Sequence, residues 1–165
     1  MARRFSGGLD TPVVEIPFGH KISYLFNPED LSDGKEFIRD IDCHDVPTSW
    51  LFEIRKRNDP EIDMTTFPVS LMRVDYMEKP VDASIEFLAY DDKGRFFSNT
   101  STSIRKDGML TGNVLKGTFQ GTELLPQKKN RVNYQIYATF TLRILNCHSI
   151  KNEDSETKEY SMGVV

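Results

Sequence analysis

Apolar and polar residues alternate along much of this chain with a period of two, the pattern of half-buried β-strands. The longest run covers residues 132–144, where every second residue is apolar, and it predicts a central strand. Shorter alternating runs at residues 50–54, 67–73 and 83–89 predict three more strands. The pattern continues, less regularly, into the rest of the chain.

Turn-forming residues separate these runs. Residues 91–94, Asp-Asp-Lys-Gly, predict a hairpin whose returning strand begins at residues 95–98. Residues 98–112 fit an irregular loop or an edge strand, and residues 114–125 fit a strand followed by a short helical turn. Residues 13–16 and 20–26, near the start of the chain, also predict strands. Residues 35–41 fit either a strand or a single turn.

Seven or eight short strands without a long amphipathic helix predict an all-β fold, an antiparallel β-sandwich. We expect residues 1–12 to form a flexible lead, because they contain Ser-Gly-Gly and a proline. Residues 13–146 are expected to form the sandwich, and residues 147–165 a polar tail or linker.

Composition narrows the class of protein. The chain has 165 residues, of which 38% are hydrophobic and 28% charged, which fits one domain with a real core. A net charge of −4 argues against a nucleic-acid partner, since neutralising phosphates requires a basic excess. No run approaches the roughly 18 apolar residues that cross a bilayer, and no apolar stretch follows Arg3 and Arg4 as in a signal peptide. We expect no membrane association and a cytoplasmic or nuclear location.

Two cysteines each precede a histidine, as Cys43-His44 and Cys147-His148. Two thiolates and two imidazoles suit tetrahedral zinc. Adjacent residues on extended backbone point to opposite faces, however, so both members of a pair rarely reach one ion. The spacing also differs from that of zinc fingers. We therefore expect ordinary loop or strand-end cysteines, with no metal and no cofactor.

Acidic residues gather in three segments, residues 40–45, 59–63 and 91–92. Loops at one end of a sandwich can gather such groups around calcium. A calcium- or carbohydrate-binding module is therefore the alternative function, although the position of Trp50 in an alternating strand predicts a core residue. No convergent set of catalytic side chains and no phosphate-binding loop is apparent, so we do not expect an enzyme.

Five segments, in order and spacing, resemble the MATH domain, the β-sandwich that also forms the C-terminal part of TRAF proteins. The resemblance extends over residues 18–146. Residues 49–56 resemble the family's strand that opens with tryptophan, and residues 81–94 its hairpin strand. The other matching segments are residues 67–74, 112–119 and 124–142.

The resemblance implies a protein-interaction domain that binds an extended segment of a partner protein. In the family such a domain often serves as the substrate-recognition part of a ubiquitin-ligase adaptor and precedes a C-terminal oligomerisation domain of the BTB type. In adaptor members the stretch near the fourth segment carries aromatic residues that hold the peptide. Met109 and Thr111 occupy the matching positions here, so different partner side chains are expected. The predicted partner contacts are Ser70, Ile85, Ile104, Met109, Leu110 and Thr111.

Overall fold

The alternating segments form ten β-strands in the computed structural model, which describes residues 12–59, 61, 64–91, 103–120 and 136–148. In chain order the strands are β1 (Val14–Ile16), β2 (Gly19–Phe26), β3 (Lys35–Ile41), β4 (Thr48–Ile54), β5 (Arg57–Asp59), β6 (Met64–Arg73), β7 (Val81–Asp91), β8 (Ser103–Met109), β9 (Val114–Gln120) and β10 (Ile136–Leu145). A short 3-10 helix, Pro28–Leu31, follows β2 and is capped by the Asn27 side chain, which accepts a hydrogen bond from the Glu29 amide.

The strands form two five-stranded sheets in which every recorded pair is antiparallel. Sheet A has the order β1-β2-β10-β7-β8. In sheet B, β3 pairs with β4, and β6 pairs with β4, β5 and β9. The short β5 continues β4 in the same register against β6, since Ile54 faces Val69 and Arg57 faces Thr66. The predicted all-β antiparallel sandwich is confirmed, with ten strands where seven or eight were expected; β5 lies in no predicted segment.

The core lies between the inner faces of the sheets and is rich in phenylalanine. The predicted central strand is β10, which has β2 on one side and β7 on the other. Its inward side chain Phe140 lies at the centre of an aromatic cluster. The rings in contact with Phe140 belong to Phe26, Phe52, Phe67, Phe87 and Phe119.

Several local predictions are refined by the structure. Residues 35–41 form strand β3, and the edge-strand interpretation of residues 98–112 holds for β8. Strand β8 begins at Ser103, and the predicted return at 95–98 lies outside the described residues, as does the helical turn after β9. The predicted lead, residues 1–12, and the predicted tail, residues 147–165, also lie almost wholly outside the described residues. Cys147, which falls in the predicted tail, is buried in the core.

Phe140→Ala should lower the free energy of unfolding by about 3–5 kcal/mol, because it removes a ring from the centre of the core and leaves a cavity. Tyr137→Ala is the matched control: Tyr137 lies on the same strand, half-buried on the outer face against Tyr90. Its loss should be about 1 kcal/mol. Urea denaturation followed by circular dichroism measures both values. Equal losses would contradict the assignment of Phe140 to the centre of the core.

Candidate metal centre and partner surface

Most of the buried polar groups of the described chain collect at one end of the sandwich. At this end β3, β6, β8 and β10 finish and β2, β4, β7 and β9 begin, as the pairs Leu145–Gly19, Ile41–Thr48 and Val81–Met109 indicate. We call it the polar end. Two groups of side chains occupy it, a thiol–imidazole cluster and a buried ion pair.

The thiol–imidazole cluster brings together His20, Cys43, Cys147 and His148. One nitrogen or sulfur atom of each residue lies within 4.8 Å of those of the other three. His20 points inward from β2, Cys43 lies two residues after β3, and the other two residues follow β10. Three segments far apart in sequence therefore converge on one buried point.

The backbone at Asn146 explains why Cys147 and His148 both reach this point. Asn146 has a φ of 62°, in the left-handed region, so the chain turns directly after β10 instead of continuing extended. Residues 146–148 form a bend and not extended backbone, so Cys147 and His148 need not point to opposite faces, and the sequence-based argument against convergence fails for this pair. The argument holds for the first pair, because the side chain of His44 is 97% exposed.

Gly19 allows β2 to approach β10 closely enough to place His20 in the cluster. A Cβ atom at Gly19 would lie 1.8 Å from the carbonyl oxygen of Ile144, a distance that no side chain can adopt. The residue after this close contact is His20, which pairs with Ile144 across the sheet. The fourth member of the cluster is therefore supplied by a strand that the sequence analysis did not connect to the cysteines.

Distances within the cluster are short. Cys43 Sγ lies 3.5 Å and Cys147 Sγ 3.6 Å from His148 Nδ1. The rings of His20 and His148 meet edge to face, with centroids 5.2 Å apart. Burial lowers the pKa of His20, and the neighbouring His148 lowers it further. Burial, with the nearby Cys43 thiol, raises the pKa of Cys147. Burial thus favours the neutral forms of the His20 imidazole and the Cys147 thiol.

The buried ion pair joins Arg73, the last residue of β6, to Asp75. Arg73 is fully buried, and its Nε donates to an Asp75 carboxylate oxygen at 2.9 Å. Its other guanidinium nitrogens donate to main-chain carbonyls of Met77, Lys79 and Met109. The Asp75 carboxylate also accepts hydrogen bonds from the amides of Ser49 and Met77, both at 3.0 Å.

This network connects both sheets. Arg73 belongs to β6 in sheet B, whereas Met109 ends β8 in sheet A. The main chain of Arg73 also bonds to the β8–β9 turn, accepting from the Gly112 amide and donating to the Asn113 carbonyl. A single buried side chain thus holds the segment between β6 and β7 against the turn between β8 and β9. The sequence signal was available: Arg73 occupies a core position in the alternation of residues 67–73.

The six predicted partner contacts do not form one surface. Ile85 and Met109 are fully buried in the core, and Ser70 lies half-buried on the outer face of sheet B. Ile104 is half-buried and packs over Gly117, where an added Cβ would meet its Cδ1 at 2.6 Å. Only two of the six project from the polar end, Leu110 and Thr111.

Leu110 is 46% exposed, and the exposed Thr111 donates from its hydroxyl to the Met77 carbonyl at 3.4 Å. Tyr76, next to Met77, is 98% exposed. Tyr76 could not be singled out from the sequence, since an isolated tyrosine in a turn belongs to no pattern. These three side chains, Tyr76, Leu110 and Thr111, form what we call the end patch, and the Arg73 network holds their two loops together.

The geometry gives little support to the alternative function, a calcium- or carbohydrate-binding module. Trp50 is buried, and its Nε1 donates to Thr48 Oγ1 at 2.8 Å, so it offers no exposed platform for a sugar. Among the described residues, no three carboxylate side chains gather as candidate metal ligands.

Comparison with known proteins leaves the family unassigned. No family model matches the chain, and no curated protein matches it significantly. No helix in the described part of the chain is long and apolar enough to cross a membrane. Function must therefore be inferred from the geometry of the polar end and of the strand edges.

Asp75→Asn should lower the free energy of unfolding at neutral pH by about 3 kcal/mol, because Arg73 keeps its buried charge and loses its counter-charge. Burial alone would raise the pKa of Asp75, but the hydrogen bonds from Arg73, Ser49 and Met77 lower it below its ordinary value. A depressed folded-state pKa contributes stability above the unfolded-state pKa, and this is lost as the pH falls through the folded-state value.

The stability of the wild type should therefore fall more steeply than that of Asp75→Asn between about pH 5 and pH 2. Urea denaturation at a series of pH values measures this difference. Asp33→Asn, which changes an exposed aspartate, is the control and should follow the wild-type curve. Parallel curves for Asp75→Asn and the wild type would show that the ion pair does not stabilise the fold.

Proposed function

We propose that the protein is an interaction domain that binds an extended segment of a partner protein along strand β8 and the adjoining end patch. The observation that carries the proposal is the position of β8. It is the last strand of sheet A, pairs with β7 on one side, and has no strand partner on its other side within the described residues.

The outer edge of a terminal strand offers alternating main-chain donors and acceptors at the spacing of another extended chain. An extended peptide is therefore the ligand whose backbone matches this edge. Charged side chains on an edge strand oppose indiscriminate pairing. On β8, Arg105 is engaged by Asp82 and Asp107, whereas Lys106 donates to the carbonyl of Val114 at the surface. A partner segment with an acidic residue facing Lys106 fits this edge.

The end patch supplies side-chain contacts where β8 finishes. Tyr76 and Leu110 are exposed apolar or aromatic side chains on loops that the buried Arg73 holds in place. A rigid scaffold beneath binding loops reduces the conformational entropy lost on association. The patch therefore complements main-chain pairing along β8 with a small apolar contact.

The MATH resemblance of the sequence points to the same function, and the antiparallel sandwich fits it. A more specific role, substrate recognition within a ubiquitin-ligase adaptor, is supported by that resemblance alone. Ile85, Met109 and Ile104 contribute to this proposal as the support beneath β8, and Ser70 lies away from it on the outer face of sheet B.

Leu110→Asp with Thr111→Asp should weaken peptide binding at least about tenfold, because it places two charges beside an apolar contact. Peptides selected from a random library against the 165-residue chain provide the ligands, and fluorescence anisotropy measures the Kd. Methylating alternate amide nitrogens of a selected peptide should abolish its binding, since strand pairing needs those N–H groups.

Ile38→Asp is the matched control, because Ile38 is a 68% exposed apolar residue on β3, an edge strand of sheet B. Its affinity for peptide should equal that of the wild type. Equal binding by the double variant would place the site elsewhere, and failure to select any peptide would contradict the interaction function itself.

A further inference from the structure

We propose that His20, Cys43, Cys147 and His148 bind a zinc ion as a tetrahedral site, with both sulfurs, His20 Nε2 and His148 Nδ1 as ligands. Two thiolates and two imidazoles in a closed, buried arrangement are a structural type of zinc site. This inference is independent of the proposed partner binding, since none of the four residues belongs to β8 or the end patch.

The separations of the ligand atoms match the ion. With Zn–S bonds of about 2.3 Å and Zn–N bonds of about 2.0 Å, tetrahedral geometry holds sulfur and nitrogen ligands about 3.5 Å apart. The two sulfur-to-His148 Nδ1 distances are 3.5 and 3.6 Å. The remaining pairs lie within 4.8 Å, a spread that small side-chain rotations can close.

His20 provides the second, independent observation. Its Nε2 is buried and has no hydrogen-bond partner among the described residues. Leaving a buried polar atom without a hydrogen bond destabilises the fold, and such atoms are rare in folded proteins. A metal ion at the centre of the cluster satisfies this nitrogen.

His148 has the orientation of a zinc ligand. Its Nδ1 faces both sulfurs, while its Nε2 points outward and lies 3.7 Å from a carboxylate oxygen of the exposed Glu15. Metal-bound histidines commonly direct their other ring nitrogen toward a carboxylate, which fixes the ring orientation. Glu15 therefore takes the place of that outer carboxylate.

The charge of the ligands and the access from solvent to the cluster also suit a divalent cation. Binding transfers one proton from each cysteine thiol to solvent, and the two thiolates then neutralise the charge of Zn²⁺, so the buried site carries no net charge. A surface cleft lined in part by Phe18, Asn146, Cys147 and His148 leads to the cluster. The ion can therefore enter the folded chain.

Zinc at this position would be structural, because protein side chains fill all four coordination positions. It would link β2 and the end of β10, in sheet A, to the segment after β3, in sheet B. The four ligands come from three segments far apart in the sequence and meet only in the folded chain. Zinc therefore binds the folded chain more tightly than the unfolded chain, and its removal should lower the melting temperature.

The first test is the metal content of the untagged chain, expressed with zinc in the medium and dialysed before elemental analysis. A single zinc ion per chain is expected. Cys43→Ser, Cys147→Ser and His20→Asn should each lose most of it. His44→Asn, a histidine next to Cys43 that points to solvent, is the matched control and should retain it.

A second test uses the wild type alone, so it remains decisive if the variants do not fold. Cobalt added to the metal-free chain should produce the visible absorption of a tetrahedral, thiolate-bound ion, and zinc should then displace it. Adding zinc should raise the melting temperature, and a chelator should reverse the rise.

Three results would overturn the proposal. The chain as purified could contain no zinc and give no cobalt spectrum. Zinc could be retained equally by the cysteine variants, which would make it an adventitious ion only. Thiol titration and mass spectrometry could find Cys43 and Cys147 joined as a disulfide in the chain isolated under reducing conditions, which would assign the cluster to thiol chemistry.

Discussion

The polar end depends on the burial of one positive charge. A guanidinium removed from water costs several kcal/mol unless a counter-charge and hydrogen-bond acceptors surround it. Arg73 meets this requirement with the Asp75 carboxylate and the carbonyls of Met77, Lys79 and Met109. Each of these acceptors lies in or beside a segment that connects two strands. The need to satisfy one cation therefore determines the path of the chain between β6 and β7 and after β8.

In sheet A, the half-buried carboxylate of Asp82 likewise joins separate segments of the chain through hydrogen bonds. Asp82 accepts from the Gly108 amide of β8, from Arg105 and from the Asn146 side chain. Asn146 is the residue whose left-handed backbone turns Cys147 and His148 toward the cluster. The proposed partner surface and the thiol–imidazole cluster are thus connected through Asp82, since β8 and the turn after β10 both bond to it.

The sequence predicted the sheets better than the sites. Alternation identified β10, β6 and β7 because burial of one face imposes a period of two. The segment that forms β8 could be interpreted as a loop or as an edge strand. An edge strand buries little surface, so its apolar and polar residues need not alternate regularly. The four-residue cluster could not be derived, because it depends on the φ of Asn146 and on the contact that Gly19 makes with β10. Met109 and Ile85 were predicted as contacts and are core residues, since alternation does not distinguish the inner face from a binding face.

The carboxylates of Asp75 and Asp82 should hold the polar end as firmly as strand pairing holds β10. Amide hydrogen exchange of the full chain, followed by nuclear magnetic resonance, tests it most directly. Ser49 and Met77, which donate to Asp75, and Gly108, which donates to Asp82, should be protected to a degree comparable with the amides of β10. Exchange of these three amides at the rates of exposed loops, with β10 still protected, would contradict the account.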